Sequence, residues 1–203
     1  MKYDVMIIGA GPGGIFSAYE LMKKRPDLKV AVFEEGHKLQ ERHCPIDGER
    51  VKNCVNCPTC AIMNGFGGAG AFSDGKYNIT NDFGGTLYEY IGRKEALELM
   101  RYVDGINVSH GGEGTKMYST AGTNLKKICM QNKLKLLDAS VRHLGTDINY
   151  VVLGNLYREM KDHVEFHFDT PVEHLEVTDQ GYRVICGTRS YECENCIVSV
   201  GRS

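Results

Sequence analysis

The sequence predicts an α/β fold with a parallel sheet, and the features that carry this prediction lie near its start. Residues 3–8 form a short apolar run that ends in glycines, as buried parallel strands do. Residues 14–24 place apolar side chains at helical spacing, and Pro26 ends the helix that they predict. Residues 29–33 form a second apolar strand, which completes a strand–helix–strand unit of about thirty residues.

Composition and charge exclude several classes of function. The chain has 203 residues, of which 25% are charged, and a net charge of −2, so it lacks the strongly basic character of nucleic-acid-binding proteins. No apolar run approaches the length of about 20 residues that a membrane helix needs. The apolar start at residues 5–8 is too short for a secretory signal. We therefore expect a cytoplasmic protein with a small-molecule substrate or redox partner, and with neither nucleic acid nor membrane as a partner.

The chain divides into three expected segments. Residues 1–85 hold the strand–helix–strand unit and loops rich in cysteine and glycine. Residues 86–149 show helical spacing of apolar side chains, which predicts a mainly helical insertion or cap. Residues 150–203 begin with an amphipathic helix and continue as short strand-like runs separated by turn residues. These runs predict a β-meander and a final strand, at residues 164–168, 172–177, 181–186, 189–193 and 196–200.

The turn after the first strand has the pattern G-x-G-x-x-G. Gly9 permits the tight turn, Gly11 lets the backbone touch a pyrophosphate, and Gly14 lets the helix pack closely on the sheet. The start of the helix offers backbone N–H groups to phosphates. With Pro12 and Gly13, these residues predict a Rossmann-like dinucleotide site. The alternative is a tight strand–helix turn without a ligand.

An acidic pair follows the second strand. Glu34 lies 20 residues after Gly14, where a carboxylate can accept both hydrogen bonds of an unphosphorylated ribose diol. A 2′-phosphate at this position would meet a like charge. Glu35 comes next and is included in the predicted site. These features indicate a dinucleotide but do not choose between FAD and NAD.

Five further motifs are more specific. They are Arg-His-Cys-Pro at 42–45, the cysteine run at 54–60, the glycine-rich stretch ending in Ser-Asp-Gly-Lys at 65–76, Arg-His-Leu-Gly-Thr-Asp at 142–147, and the terminal Val-Gly-Arg-Ser at 200–203. Together they resemble the uncharacterised bacterial and archaeal FAD-dependent dehydrogenases of the NAD(P)/FAD-dependent oxidoreductase family, across essentially the whole chain. The resemblance implies an FAD-dependent oxidoreductase with a Rossmann-like FAD-binding domain of the glutathione-reductase type.

The resemblance also implies roles for single positions. It sets the backbone of Val172 against the adenine and returns the strand ending at Gly201 beneath the first turn. Arg42, which lies soon after the second strand, is expected to reach the FAD phosphates. Proteins of this family continue well beyond Ser203, so we expect a chain that lacks part of the isoalloxazine pocket and of the substrate site, and that is inactive by itself.

The second glycine stretch suits a loop wrapped around a flavin or its phosphates. Backbone N–H groups would serve as donors there, and the charge of Lys76 would favour an anionic reduced flavin. The alternative is a flexible surface loop. The residues of this stretch in the predicted cofactor site are Gly67, Gly68, Gly70, Ala71, Ser73 and Lys76.

The cysteines leave several interpretations open. Cys54, Cys57 and Cys60 fall within seven residues, and Cys44 could supply a fourth thiolate. The group is interpreted as a metal or iron–sulfur site, as a redox or catalytic thiol site, or as packing cysteines. A further pair, at 193 and 196, is expected to be ordinary cysteines, because residues three apart on a strand face opposite sides.

Candidates for proton transfer are few. His143 and Lys76 are the candidate catalytic residues, and the alternative for His143 is a hydrogen-bonded structural histidine. No second G-x-G-x-x-G follows a predicted strand and opens a helix, so an NAD(P)H donor would bind differently or elsewhere.

The leading hypothesis is the FAD-binding part of an oxidoreductase that transfers a hydride through flavin N5. The alternatives are a non-enzymatic flavin-binding redox module or electron carrier, and an NAD-dependent Rossmann enzyme. The predicted β-meander and the stretch at 65–76 disfavour the NAD enzyme, which would continue directly into further strand–helix units.

Overall fold

The computed structural model describes residues 2–201, so the last two residues of the terminal Val-Gly-Arg-Ser motif lie outside the described part. The strands are β1 (Lys2–Ile8), β2 (Val30–Phe33), β3 (Lys76–Ile79), β4 (Met117–Ser119), β5 (Ser140–His143), β6 (Val164–His167), β7 (His174–Thr178), β8 (Gly181–Cys186) and β9 (Arg189–Val198). The helices are α1 (Pro12–Lys24), α2 (Leu87–Ile91), α3 (Arg93–Asn107), α4 (Leu125–Gln131) and α5 (Gly145–Met160). Over the described residues, none of these helices combines the length and the apolar character of a membrane span.

A six-stranded sheet in the order β6-β2-β1-β9-β8-β7 organises the first part of the structure. Strands β6, β2, β1 and β9 run parallel, and β9, β8 and β7 form an antiparallel meander. Ile7 of β1 pairs with Val32 on one side and with Ile197 on the other. All four residues of β2 are buried, as expected for a strand inside a parallel sheet. This arrangement confirms the predicted α/β fold and brings the carboxyl ends of β1, β2 and β9 to one edge.

Strand β9 joins the meander to the parallel sheet. The sequence predicts separate strands at 189–193 and 196–200, whereas the structure has one strand over Arg189–Val198. Residues 189–193 pair with β8, and residues 192–198 pair with β1, so residues 192–193 have both strands as neighbours. The polar residue Glu194 interrupts the apolar pattern, which is why the sequence predicts a turn at this point. Gly181 passes so close to this point that a Cβ there would lie 2.2 Å from the Cys193 carbonyl oxygen.

Aromatic side chains fill the space against the sheet. The rings of Phe33 and His167 stack with centroids 4.6 Å apart, and Tyr191 meets Phe33 edge-on. The Tyr3 hydroxyl lies 3.2 Å from His167 Nε2. These contacts fix the register of β1, β2, β6 and β9 at their buried ends, because large rings pack in few alternative ways.

The chain forms two compact units. One consists of the residues up to Phe72 and from Leu153 onward, and the other of Ser73–Val152. The sequence sets the corresponding boundaries at 85 and 150. The second unit holds α2, α3 and α4, as the helical pattern predicts, together with an antiparallel sheet in the order β3-β5-β4. Each of these strands has three or four residues, too few for alternation to identify a strand.

The half-buried histidine in the aromatic group gives the fold a pH dependence. Burial lowers the pKa of His167 from its ordinary value of 6.5, against the opposing effect of the Glu165 carboxylate. The unfolded chain therefore binds more protons at this residue than the folded chain does. The stabilising contribution is complete above pH 6.5 and is lost as the pH falls below that value. We expect the urea concentration at the unfolding midpoint to decrease when the pH is lowered from about 7 to about 5.

His167→Gln should weaken this fall, because the substituted side chain does not titrate. His163→Gln, at an exposed histidine, is the matched control and should keep the pH dependence of the parent chain. Equal slopes of midpoint against pH in the parent and in H167Q would contradict the assignment.

Candidate functional site

The glycine turn between β1 and α1 is closely packed against the end of β9. The Gly9 N–H donates to the Phe33 carbonyl at 2.7 Å, and Gly9 has φ +99°, which favours glycine. A Cβ on Gly9 would lie 2.7 Å from the Ser199 carbonyl oxygen, and a Cβ on Gly14 would lie 1.9 Å from the Gly9 oxygen. Neither position has room for a side chain, because the neighbouring atoms belong to the backbone.

Gly11 lies in different surroundings, at the start of α1. A Cβ on Gly11 would meet no atom within 4 Å. The helix begins at Pro12, has no side-chain cap at Gly11, and has no acidic residue in its first turn. Its first N–H groups therefore face an open position with the positive end of the helix dipole behind them. This arrangement fits a phosphate group.

Glu34 lies at the end of β2 and is buried, with 7% of its surface exposed. Its Oε2 accepts the Ala10 N–H at 2.7 Å, and its Oε1 accepts the N–H groups of Gly36 at 3.0 Å and Gly65 at 2.8 Å. A carboxylate offers about four acceptor positions. In this arrangement one position remains, on Oε2, so Glu34 can receive one of the two ribose hydroxyls that the sequence assigns to it.

The second glycine stretch crosses the first one. The Gly67 N–H donates to the Ala10 carbonyl at 2.8 Å, and a Cβ on Gly68 would lie 3.1 Å from the Gly11 Cα. Phe66 is wholly buried and meets Tyr157 edge-on. The stretch is therefore fixed at residues 65–68, and a short helical turn over Gly68–Phe72, which includes Gly70 and Ala71, follows it.

Arg42 lies beneath this stretch and not on its surface. It is 2% exposed, and its guanidinium donates to four backbone carbonyl oxygens. The sequence assigns Arg42 to the FAD phosphates. In the structure its hydrogen-bond donors are directed to the backbone of the chain itself.

The segment before β7 runs alongside the residues that follow β2. The Thr170 N–H donates to the Glu34 carbonyl at 2.9 Å, and the Asp169 N–H donates to the Gly36 carbonyl at 3.1 Å. Val172 packs against the core cluster that includes Phe33. The predicted adenine-side residue is thus close to the end of β2.

The remaining predicted cofactor residues lie at the margins. Glu35 is exposed and accepts a hydrogen bond from the Asn64 amide. Gly201 is exposed, with φ +77°. Ser73 and Lys76 belong to the second unit.

Sequence reasoning missed Ser199. Its Oγ lies 3.0 Å from the Ile8 carbonyl and 3.1 Å from the Gly9 carbonyl, and its N–H donates to Ile8 at 2.8 Å. The serine thereby attaches the end of β9 to the glycine turn. The available signal was a small polar residue that follows an apolar strand immediately before Val200 and Gly201.

The cysteine run does not form a ligand set. Among residues 2–201, no group of three or more His, Cys, Asp or Glu side chains is arranged to hold a metal ion. All four thiols of the predicted centre, Cys44, Cys54, Cys57 and Cys60, are free. The metal or iron–sulfur interpretation therefore has no support from the geometry.

The other cysteine pair agrees with the expectation of ordinary packing cysteines, although its two side chains do not face opposite sides of the strand. Cys193 belongs to the hydrophobic cluster around Phe33, and Cys196 packs against the same cluster. Alternation of buried and exposed side chains is interrupted at Glu194 and Asn195, which are both exposed. Burial raises the pKa of both thiols, that of Cys196 to about 11, so both are protonated packing groups.

In the second unit, the end of the glycine-rich stretch at 65–76 lies beside the start of the motif at 142–147, because β3 pairs with β5. Lys76 pairs with His143 across β3 and β5. Lys76 Nζ lies 2.6 Å from Asp74 Oδ2. The hydrogen bond from Lys76, aided by the charges of Lys76 and His143, lowers the pKa of Asp74. The N–H groups of Leu144 and Gly145 bind the carbonyls of Gly75 and Asp74 at 2.9 and 3.0 Å.

The residue before His143 is anchored inside the unit. Arg142 Nε and Nη2 bind the Asp104 carboxylate at 2.7 and 2.9 Å, and Nη1 binds the Thr115 carbonyl at 2.7 Å. Because this bidentate pair is largely buried, it holds β5 to α3, while the next side chain, His143, is exposed.

Comparison with known proteins gives a short match by sequence. Residues 1–39 match a family model described as the Thi4 family. The thiamine thiazole synthases of Yarrowia lipolytica and Phaeosphaeria nodorum are each 61% identical over 33 residues, which is 16% of this chain and 10% of theirs. The likeness thus lies in the part of the chain that holds the glycine turn and Glu34.

Solved structures give a match across the chain. Glycine oxidase from Geobacillus kaustophilus has a TM-score of 0.55 at 16% identity, over 98% of this chain and 55% of that one. NikD, an unusual amino acid oxidase, has a TM-score of 0.51 at 12% identity, over 98% and 51%. The fold is a Rossmann-like FAD-binding fold. The chain spans about half the length of these oxidases.

The glycines of the turn separate packing from ligand binding. We expect Gly14→Ala to lower the free energy of unfolding by about 1–3 kcal/mol, because its Cβ would overlap backbone. Gly11→Ala should change it by less than about 0.5 kcal/mol, because Gly11 has extended backbone and open space around it. Urea unfolding of the two variants measures the difference. Equal losses in both would contradict this description of the turn.

Proposed function

We propose that this chain is the FAD-binding part of a flavoprotein oxidoreductase. The observation that carries the proposal is the meeting of two glycine segments at the open start of α1. Gly11 has no atom near its Cβ position, while Gly68 lies against its Cα. A cleft lined by backbone N–H groups and a helix start suits a pyrophosphate, and the Glu34 carboxylate beside it suits a ribose hydroxyl.

Each part of the chain would hold a different part of FAD. The turn at residues 9–14 would bind the pyrophosphate, Glu34 one ribose hydroxyl, and the backbone near Val172 the adenine. The stretch at residues 67–72 would lie along the rest of the cofactor. The chemistry that FAD supplies when bound is the acceptance of a hydride at flavin N5. The chain's own contribution is to bind and orient the cofactor.

The meander supports FAD over NAD as the dinucleotide. After β6 the chain enters β7, β8 and β9 as antiparallel strands before β9 joins β1. A simple NAD domain would continue into further strand–helix units at this point. The likeness to two amino acid oxidases, which covers 98% of this chain, agrees with that preference.

We further propose that Asp74, Lys76 and His143 exchange protons with the substrate. Lys76 and His143 are cross-strand neighbours, and both act on the Asp74 carboxylate. His143 is exposed, whereas Arg142 beside it is tied into the unit, so β5 holds the imidazole on a fixed strand. A positioned imidazole can take a proton from an O–H or N–H group while a hydride leaves the adjacent carbon.

FAD titration of the chain tests the proposed cofactor. We expect the protein to take up one FAD with a shifted flavin spectrum, and Gly11→Ala to weaken the affinity at least about 10-fold, since a methyl group would occupy the phosphate position. Equilibrium titration followed by flavin fluorescence measures the effect.

Gly154→Ala is the matched control for this titration. Gly154 lies in α5, also with nothing near its Cβ position, so its substitution should leave FAD affinity unchanged. Absence of FAD uptake by the parent chain would refute the proposal. Equal affinity in G11A and the parent would remove the turn from the site.

The proton-transfer proposal predicts a kinetic defect without a binding defect. With an electron donor that carries an O–H or N–H group on the carbon that gives up the hydride, His143→Gln should slow flavin reduction of the holoprotein by about 100-fold at unchanged FAD affinity. Stopped-flow absorbance measures the rate, and His163→Gln serves as an exposed control. Reduction of H143Q at the parent rate would show that the histidine is structural.

A further inference from the structure

The side chain of Arg42 makes several hydrogen bonds to the backbone, and none of them involves the proposed cofactor. Nε donates to the Ala61 carbonyl at 2.9 Å and Nη2 to the Ile62 carbonyl at 2.8 Å. Nη1 donates to Phe66 at 2.7 Å and to Gly68 at 3.0 Å. The guanidinium thus makes four hydrogen bonds to one stretch of backbone, which occupies nearly all of its N–H groups.

The buried charge of Arg42 requires these partners. Burial lowers the pKa of Arg42, and the negative charge of Glu34 acts in the opposite direction. The guanidinium also lies over the Phe72 ring, 4.8 Å from its centroid. Since a guanidinium stays protonated, the structure has to solvate the cation internally, and carbonyl oxygens are the groups that do so here. The arginine therefore enforces the conformation of the backbone around it.

The backbone that Arg42 holds is the wall of the proposed cofactor cleft. Glycine at position 65 is needed for the side chain to pass, because a Cβ there would lie 2.7 Å from Arg42 Cδ. The same segment is attached on its other side by Gly65 N–H to Glu34 and by Gly67 N–H to Ala10. Arg42 and Glu34 thus hold opposite sides of residues 65–68 and bring Gly68 against Gly11.

We propose that Arg42 is a positioning residue for FAD, which acts by fixing residues 61–68 over the glycine turn and makes no contact with the phosphates. The inference rests on the proposed FAD function, and it changes the role that the sequence assigns to this arginine. The cleft is formed by the chain itself before the cofactor enters.

The two roles for Arg42 predict different results for lysine. A direct phosphate contact needs a positive charge, which lysine supplies as a point charge. The positioning role needs a planar fork that reaches carbonyls of residues 61, 62, 66 and 68 together, which lysine cannot do. Arg42→Lys should therefore lose as much FAD affinity as Arg42→Met.

The experiment combines FAD affinity with hydrogen exchange of the FAD-free chain. For both R42K and R42M we expect a dissociation constant at least about 10-fold higher than that of the parent. Exchange at the amides of Gly65 and Gly67 should be at least about 10-fold faster. Arg25→Met, at an exposed arginine paired with Asp27, is the matched control and should change neither quantity. If R42M does not fold, Arg42→Gln keeps two N–H donors without the charge and takes its place.

Chemical rescue gives a readout that a general loss of stability would not move. We expect guanidinium ion at about 20 mM to restore part of the FAD affinity of Arg42→Ala, at least about 5-fold, and ammonium to restore none, because ammonium lacks the planar fork. The parent chain, measured in the same salts, corrects for ionic strength.

Each outcome decides one of the two proposals. FAD binding by the parent, together with full affinity in R42K or unchanged exchange at Gly65 and Gly67 in R42M, would overturn the positioning role and leave the FAD site standing. If the parent binds no FAD, the proposed function fails. The exchange rates of the FAD-free variants then still report whether Arg42 holds the segment.

Discussion

The arrangement of the first compact unit depends on the hydrogen bonds of one buried carboxylate. Glu34 receives N–H groups from three separate segments, at Ala10 in the glycine turn, at Gly36 after β2, and at Gly65 in the second glycine stretch. Hydrogen bonds from backbone amides to a charged acceptor are stronger than those between neutral groups, and a buried carboxylate without them would be costly. The glycines at 36 and 65 follow from this contact, because a Cβ on Gly36 would lie 2.4 Å from the Gly65 nitrogen.

A site built in this way is made mainly of backbone. The contacts come from the N–H groups at the start of α1, the carbonyls that bind Arg42, and the close packing at Gly9 and Gly14. Apart from glycine, they require few particular residue types. Many sequences can satisfy such constraints, which explains how the fold agrees with oxidases at 16% and 12% identity. It also explains why the sequence match is confined to residues 1–39, where the glycine turn and Glu34 lie.

The second unit uses side chains instead. The Arg142–Asp104 pair joins β5 to α3. The cross-strand neighbours Lys76 and His143 lie on β3 and β5, whose ends are joined by backbone hydrogen bonds from Leu144 and Gly145. A buried ion pair of this kind gives little net stability but opposes alternative registers, since moving the arginine would leave Asp104 unpaired. The exposed groups of the same strands are thereby held at fixed positions, which is what the proposed proton transfer would require.

The sequence by itself determined the α/β class, the glycine turn, Glu34 and the approximate positions of β1, α1, β2, β6, β7 and β8, because buried apolar runs and glycine spacing are local signals. Only the tertiary structure decided that β9 is one strand, that Cys193 and Cys196 share a cluster, and that Arg42 faces carbonyls. It also decided that Ser199 ties β9 to the turn and that the carboxylate of Glu34 is largely occupied by backbone. These features depend on which distant segments meet, as Arg42 meets residues 61–68 and Ser199 meets Ile8. Local pattern holds no information about such partners, whereas hydrogen bonding and close packing between segments fix them.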